Sequence, residues 1–519
     1  MAAQRNSGVR RIEVIATLSL AIGQAMGQSS DFGLKSCIMA MRLASTLNLP
    51  QEEKVEVFYQ SLLRFLGCNA DTQGMANLLG DEIAFRQDFA TIDPAKPGEL
   101  LPLLISHIDG AKSDQEFLAR IVAVAGGLLS SRKISVENLS GHCEVAQRLA
   151  ERLGLSENVR RNLGQLYERW DGKGMPHGLK GDAISRPVRI VALVQDAIAL
   201  TESFGADLAA GKLLARRGKA YEPALLNLFL QNRARLFDGI DNWSWDDVLA
   251  LDPDTRSPLS ESELDEACLA MADFSDLKSP YSLGHSRAVA ALATSSAKRM
   301  NLPVQDIKLL WRAGLLHDLG QVGISVRIWA KPSPFNDREW EQVRLHAYYG
   351  ERVLSRAKGL SPLASVIGEH HERLDGSGYH RATKAQSIAG RLLAAAEAYQ
   401  NKIEERPHRP ALSTAAAALA LREEVRKGSL DGGCVAAVLA SAGHVMKVRP
   451  ENLAGLTPRE IEVLRLIGKG QSMKDMARSL GLTPKTVDNH TQNIYAKIGV
   501  RTRGAAILYA IEHGICRSD

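Results

Sequence analysis

Between positions 317 and 371 the chain sets down His317-Asp318, His346 and His370-His371, and Asp375-Gly-Ser-Gly-Tyr379 follows at once. Imidazole nitrogens and a carboxylate are what a pair of divalent cations needs, and such a pair activates water for attack on phosphorus. The set is a candidate metallophosphohydrolase centre. Singly, each piece has a plainer reading: Asp375-Gly-Ser-Gly378 is a turn in which glycine supplies positive φ, His317-Asp318 is a polar helix pair, and His370-His371 is a polar loop. Together in one stretch they point to a shared site.

The elements that must position these residues are helical. Apolar residues recur at helical spacing over 12–26, 34–49 and 55–66, with little strand-like alternation anywhere. Hydrophobic residues at 45% and charged residues at 24% exclude a disordered or fibrous chain, and only 5% aromatics beside abundant Ala and Leu favour an all-α fold. At 519 residues the chain exceeds one typical domain, and about 100–200 residues per domain suggests three or four. The pattern breaks at Asp93-Pro-Ala-Lys-Pro97, again at 135–140 before a helix over 141–153, and over 238–262, where the main boundary is placed. Six cysteines without C-x-x-C spacing read as reduced, buried thiols. With no apolar run of about 18 residues and no signal core, the chain is expected in the cytoplasm, off the membrane.

The chain also repeats itself. Asn48-Leu49-Pro50 recurs as Asn301-Leu302-Pro303, and Leu62-Leu63-Arg64-Phe65-Leu66-Gly67 recurs at the same offset as Leu315-Leu316-His317-Asp318-Leu319-Gly320. Tyr167-Glu-Arg-Trp-Asp-Gly-Lys-Gly174 matches His371-Glu-Arg-Leu-Asp-Gly-Ser-Gly378. This is the signature of a tandem duplication. Arg64-Phe65 and Leu166-Tyr167 stand where the second copy has its His317-Asp318 and His370-His371. A guanidinium repels a cation, so the first copy is expected to be degenerate, with a structural, dimerising or sensing role.

On these residues, 281–445 resembles an HD-GYP domain of the HD phosphohydrolase superfamily, a branch associated with cyclic di-GMP hydrolysis. The signatures are His317-Asp-Leu-Gly-Gln-Val-Gly-Ile324 and His370-His-Glu-Arg-Leu-Asp-Gly-Ser-Gly-Tyr379. The resemblance implies a helical bundle holding metal through His285, His317, Asp318, His346, His370, His371 and Glu397, with Asp318 bridging two ions and Glu397 at a family aspartate position. It implies His317 and Asp318 as catalytic, and Gln321, Asp375, Gly378, Tyr379, Arg406 and Arg409 around a substrate. Gln321 replaces a family lysine, His380 the family proline, His408 a tyrosine, and Tyr281 the glutamate of three-metal members. Two divalent ions at most, iron or manganese in type, are therefore expected.

From Leu456 to Asp519 ten Lys/Arg face six Asp/Glu, so most of the chain's net +5 lies in the tail. Thr457-Pro458 with Glu460 caps a helix over 458–468, Ser472 with Asp475 caps a second through Leu480, Gly481 turns, and Thr483-Pro484 caps a third ending near Ile498. Val487, Ile494 and Ile498 should face inward, leaving Thr483, Lys485, Thr486, Asn489, His490, Asn493 and Lys497 for DNA: Thr486 and Asn489 for bases, the lysines for phosphates. This segment, closing with Arg501-Thr-Arg-Gly-Ala-Ala506, resembles the LuxR-type helix-turn-helix, which implies double-stranded DNA as partner and a homodimer.

The expected order is a degenerate HD-GYP-like bundle (1–237), a linker (238–262), an HD-GYP-like domain (263–445), a linker (446–455) and a four-helix LuxR-type domain (456–519). Two functions follow. One is a transcriptional regulator whose HD-GYP-like module binds metal and a cyclic dinucleotide or related phosphoester as a signal. The other is an active cyclic di-GMP phosphodiesterase with coupled DNA binding.

Overall fold

A computed structural model of the chain describes residues 8–108, 132–254, 256, 258–384, 386–443 and 454–515. Its regular structure is helical, with no strand among the described residues and only isolated bridges such as Arg406–Arg409. The chain divides into two compact units, Arg10–Leu259 and the part from Ser260 onward, with Gly8 and Val9 belonging to the second.

In the first unit the helices that matter here are α1 (Phe32–Thr46), α2 (Gln51–Leu63), α3 (Arg132–Arg152), α4 (Glu157–Leu163) and α5 (Arg186–Phe204). Helix α3 runs straight through 135–140, where the sequence suggested a break. Serine and asparagine cost a helix only a few tenths of a kcal/mol each, roughly, and tertiary context overrides so small a preference. The stretch 238–262 is not wholly loose either: it holds a short helix, Trp245–Ala250, closed by a Ser244–Asp247 capping box.

The second unit uses α6 (Glu261–Asp276), α7 (His285–Arg299), α8 (Val304–Leu316), α9 (Asp337–Leu354), α10 (Ser361–Ile367) and α11 (Ile388–Ile403). Both ends of α1 and α2 recur in α7 and α8 at the offset of Asn48 to Asn301, and both ends of α4 recur in α10. Asn48 and Asn301 share left-handed φ values of 51° and 53°. Glu168 accepts the amides of His177 and Leu179, and Glu372 accepts those of Arg381 and Thr383 at matching positions. The two copies thus share fine geometry as well as outline.

One glycine in each copy sets the spacing of the site. A Cβ on Gly320 would fall 2.0 Å from the His346 carbonyl oxygen, and one on Gly67 would fall 1.9 Å from that of His142. Only glycine lets the turn after α8 touch the following long helix this closely. That contact brings His346 beside His317-Asp318.

The tail folds as α12 (Pro458–Gly468), α13 (Met473–Leu480), α14 (Pro484–Ile498) and α15 (Arg503–Glu512), matching the helix ends expected from the caps. The Thr457–Glu460 capping box forms, and Ser472 and Thr483 each accept the amide of their third following residue. Helix α15 is buried on nearly every side, at Gly504, Ala505, Ala506, Ile507, Leu508, Ala510 and Ile511. It packs against α12 and α14 and also against α6. Nearby, Gly470 lies against Pro280, and Lys469 Nζ is 3.4 Å from Glu405 Oε2.

Candidate metal centre and candidate nucleic-acid interface

Helices α7, α8, α9 and α11, with the turn after α10, deliver the sequence-selected histidines and carboxylates to one buried spot. His285 opens α7, His317 and Asp318 close α8, His346 lies on α9, His370-His371 follow α10, and Glu397 lies on α11. Two donor clusters result: His285, His317 and Asp318 in one, and His346, His370 and His371 in the other. Asp318 joins them. Its Oδ2 faces His317 Nε2 at 3.3 Å and His285 Nε2 at 3.6 Å, while its Oδ1 faces His346 Nε2 at 3.5 Å and His370 Nε2 at 3.8 Å.

The other ring nitrogens are tied down, which fixes what the inward nitrogens offer. His317, His346 and His370 each direct Nδ1 at the backbone carbonyl three residues earlier, on Gly314, Val343 and Ile367. A neutral ring donating from Nδ1 leaves Nε2 as a bare acceptor. His346 Nε2 and His370 Nε2 nevertheless sit 3.2 Å apart. Two acceptors at that distance repel unless a proton or a cation lies between them. Glu397 Oε2 converges on the same place, 2.8 Å from His285 Nε2 and 3.4 Å from His317 Nε2. The donor set fits divalent cations.

Taken as protein groups alone, the centre is electrostatically split. Burial lowers the pKa of His317, but Asp318 and then Glu397 lift it to about 10. Burial and the charge of His317 push His370 down to about 3, and burial with His370 and His346 pushes His371 well below the usual histidine range. Burial would raise Asp318, yet His317 and His346 hold its carboxyl well below the usual range.

The expected substrate residues fare unevenly. Tyr379 stacks on His371 with ring centroids 4.6 Å apart, and Gln321 sits half-buried in the turn after Asp318. Asp375 lies on an exposed turn, accepting from Ser377, and Gly378 packs against the backbone of Glu372 and Arg373. Arg406 is bonded to the Tyr281 carbonyl and Glu404, and Arg409 to the Asn401 carbonyl and side chain. Sequence reading missed Glu404, whose Oε2 lies 2.7 Å from His285 Nδ1 and orients that ring. Its spacing of seven from Glu397, two helical turns, was the available signal.

In the first copy Phe32, Arg64, Phe65, Leu166, Tyr167 and Leu193 occupy the places of His285, His317, Asp318, His370, His371 and Glu397. Only His142, at the place of His346, persists. Its Nε2 meets Asp71 Oδ1 at 2.8 Å and its Nδ1 meets Tyr167 Oη at 3.1 Å. Arg64 approaches Gln195 and Asp196.

On the recognition helix α14, Val487, Ile494 and Ile498 are buried as expected, with Thr491 beside them. Lys485, Asn489 and Asn493 are exposed, and Thr486 and His490 are half-buried. Thr483 serves as the cap. Lys497, expected on phosphate, holds Glu460 Oε2 at 2.7 Å and ties α14 to α12.

The HD domain profile matches residues 127–225 and 270–433, so it finds both copies and covers half of the chain. The chain belongs to the HD domain family. Residues 454–510 match the luxR family of bacterial regulatory proteins, and this HD domain protein therefore also carries a LuxR-type domain. A relative, the 3'3'-cGAMP-specific phosphodiesterase 3 of Vibrio cholerae, is 29% identical over 434 residues, 82% of this chain and 93% of that protein. The response regulator VraR of Staphylococcus saprophyticus is 41% identical over 80 residues, 15% of this chain and 38% of its own. The crystal structure of a cyclic GMP-AMP specific phosphodiesterase of Vibrio cholerae shares the fold, with TM-score 0.58 and 24% identity over 84% of this chain and 98% of that one. No helix among the described residues is long and apolar enough to cross a membrane.

Proposed function

We propose that this HD domain protein is a DNA-binding transcriptional regulator whose second copy holds divalent cations and takes a cyclic dinucleotide or related phosphodiester as its signal. The observation that carries the reading is Asp318, whose two oxygens divide between two buried histidine clusters in a chain that also exposes a capped recognition helix. The mixed imidazole and carboxylate donors suit two ions of iron or manganese type. His285, His317, Asp318 and Glu397 would hold one ion, and His346, His370 and His371 the other, with Asp318 shared. When bound, such ions polarise a phosphoryl group and lower the pKa of water. The chain's own part is orientation: backbone carbonyls fix three rings and Glu404 fixes a fourth.

DNA is read by α14, with Asn489 and Thr486 toward bases and Lys485 toward phosphate, by two chains acting as a homodimer on paired half-sites. The tail rests against Pro280 and Glu405, next to Tyr281, Glu404 and His285, so the contact surface borders the candidate signal site. Coupling then requires that the ligand bind two arrangements of this border with different affinity.

The second reading is an active cyclic dinucleotide phosphodiesterase. The Vibrio cholerae phosphodiesterase similar to 82% of this chain favours it, whereas Gln321 in place of a lysine removes a cation that would stabilise phosphoryl oxygens. Metal content and hydrolysis of 3'3'-cyclic GMP-AMP and cyclic di-GMP, compared for wild type and Asp318→Ala, separate the two. Bound metal and nucleotide without turnover support the regulator, and metal-dependent turnover lost in Asp318→Ala supports the enzyme. A wild type with neither metal nor nucleotide overturns both.

A further inference from the structure

Beside the metal centre stands an aromatic wall that none of the catalytic residues accounts for. Trp329 packs its indole against the His346 ring with centroids 5.7 Å apart. Trp329, Phe335 and Tyr349 seat on a small apolar core of Ile324, Ile328 and Val343. Ile324 ends the turn that begins at Asp318, and Val343 precedes His346 on α9 by one turn, so this core is built from the elements that carry the ligands. Phe335 in turn meets Trp340 edge-on at 5.4 Å and His408 at 6.0 Å.

Trp340 is the most exposed part of this wall: it is 41% exposed, a large apolar surface held on the first turn of α9. Four residues later on the same face, Arg344 lies over the Trp340 ring with Cζ 6.0 Å from its centroid. Arg344 is exposed, and among the described residues it has no carboxylate partner. Lys278, by contrast, is buried and donates to the Val322 carbonyl.

An exposed indole with a guanidinium against it is a surface suited to a nucleobase. Aromatic and guanidinium planes stack bases of any sequence, and a guanidinium also pairs with phosphate oxygens. We propose that Trp340 and Arg344 form the nucleobase subsite of the second copy's centre, Trp340 stacking a purine of the dinucleotide and Arg344 taking a non-bridging phosphate oxygen. This rests on the reading of that centre as a cyclic dinucleotide site. It assigns to α9 a cation that the turn lacks at Gln321.

The test is equilibrium binding of 3'3'-cyclic GMP-AMP to the full chain loaded with Mn²⁺, for wild type, Trp340→Ala, Trp340→Phe and Arg344→Gln, with metal content measured on every sample. Trp340→Ala and Arg344→Gln should weaken binding about tenfold or more while metal content holds, and Trp340→Phe should recover most of the loss. Wild-type affinity in both Trp340→Ala and Arg344→Gln overturns the subsite and leaves the metal centre standing. A metal-loaded wild type that binds no cyclic dinucleotide overturns the proposed function, and the subsite falls with it. Equal weakening in Trp340→Ala and Trp340→Phe overturns the stacking role.

Discussion

At the scale of single residues, four of the candidate centre's five rings are held from behind, His317, His346 and His370 by backbone carbonyls and His285 by Glu404. Glu404 is the case that distinguishes holding from ligating: it touches His285 Nδ1 and not the converging nitrogens. Glu404→Gln should weaken Mn²⁺ binding by about 10- to 100-fold without abolishing it. Titration of the purified protein with Mn²⁺ checks this, and unchanged affinity would assign Glu404 a different role. In the first copy His142 gives a prediction free of metal. Burial lowers its pKa, but Asp71 and Cys68 raise it to about 10. The folded value lies above the unfolded one of about 6.5, so the stabilisation is full below about pH 6.5 and is lost as pH rises through about 10. His142→Gln should cost about 3 kcal/mol at neutral pH, with the gap in thermal midpoint from wild type shrinking on the alkaline side. A pH-independent gap would contradict the ion pair. Of the candidate ligands, His317-Asp318 and His370-His371 were legible in the sequence because they come as adjacent pairs within multi-residue motifs, whereas His285 and Glu397 stand singly and came from the family resemblance. Glu404, Trp340 and Arg344 were not, because their meaning arises only when α9 and α11 are brought beside the turn after α8.

At the scale of elements, caps and tight approaches decide what is presented. The tail's helix ends were readable from Thr457, Ser472 and Thr483 because a cap is a local event between residues three apart. The role of Lys497 was not readable, since its partner Glu460 lies on another helix. Thr483→Ala should cost α14 about 1 kcal/mol and weaken DNA binding with it. Lys485→Ala should reduce the slope of log affinity against log salt by about one, and Lys497→Ala should change that slope less while lowering the tail's thermal stability more. The reverse ranking, measured by DNA-binding isotherms over a salt series, would mean that Lys497 leaves Glu460 to reach phosphate. The helix α3 teaches the opposite lesson: Ser and Asn in its first half looked like a break, and a weak local preference lost to the rest of the fold.

At the scale of the whole molecule, one fold occurs twice with different residues at the candidate ligand positions. The framework that shapes the site survives in both copies, in the paired glycines, the left-handed asparagines and the Glu168 and Glu372 brackets, while the ligand positions have diverged. Gly320→Ala should therefore displace His346 and reduce metal content, whereas Gly67→Ala should destabilise its own unit and leave metal content intact. Loss of metal in Gly67→Ala would show that the first copy supports the centre directly. The repeat itself was visible in sequence because glycine and proline punctuation persisted, but the survival of His142 needed the folded geometry to be noticed. The central claim, that the second copy is the input site of a DNA-binding regulator, is tested most directly by one titration. The affinity of the full Mn²⁺-loaded chain for a duplex enriched by this protein from a random-sequence library is measured with and without saturating 3'3'-cyclic GMP-AMP, in wild type and Asp318→Ala. Adding the dinucleotide should shift DNA affinity in wild type and leave it unchanged in Asp318→Ala; equal DNA affinity with and without the dinucleotide in wild type would contradict an input role for the second copy.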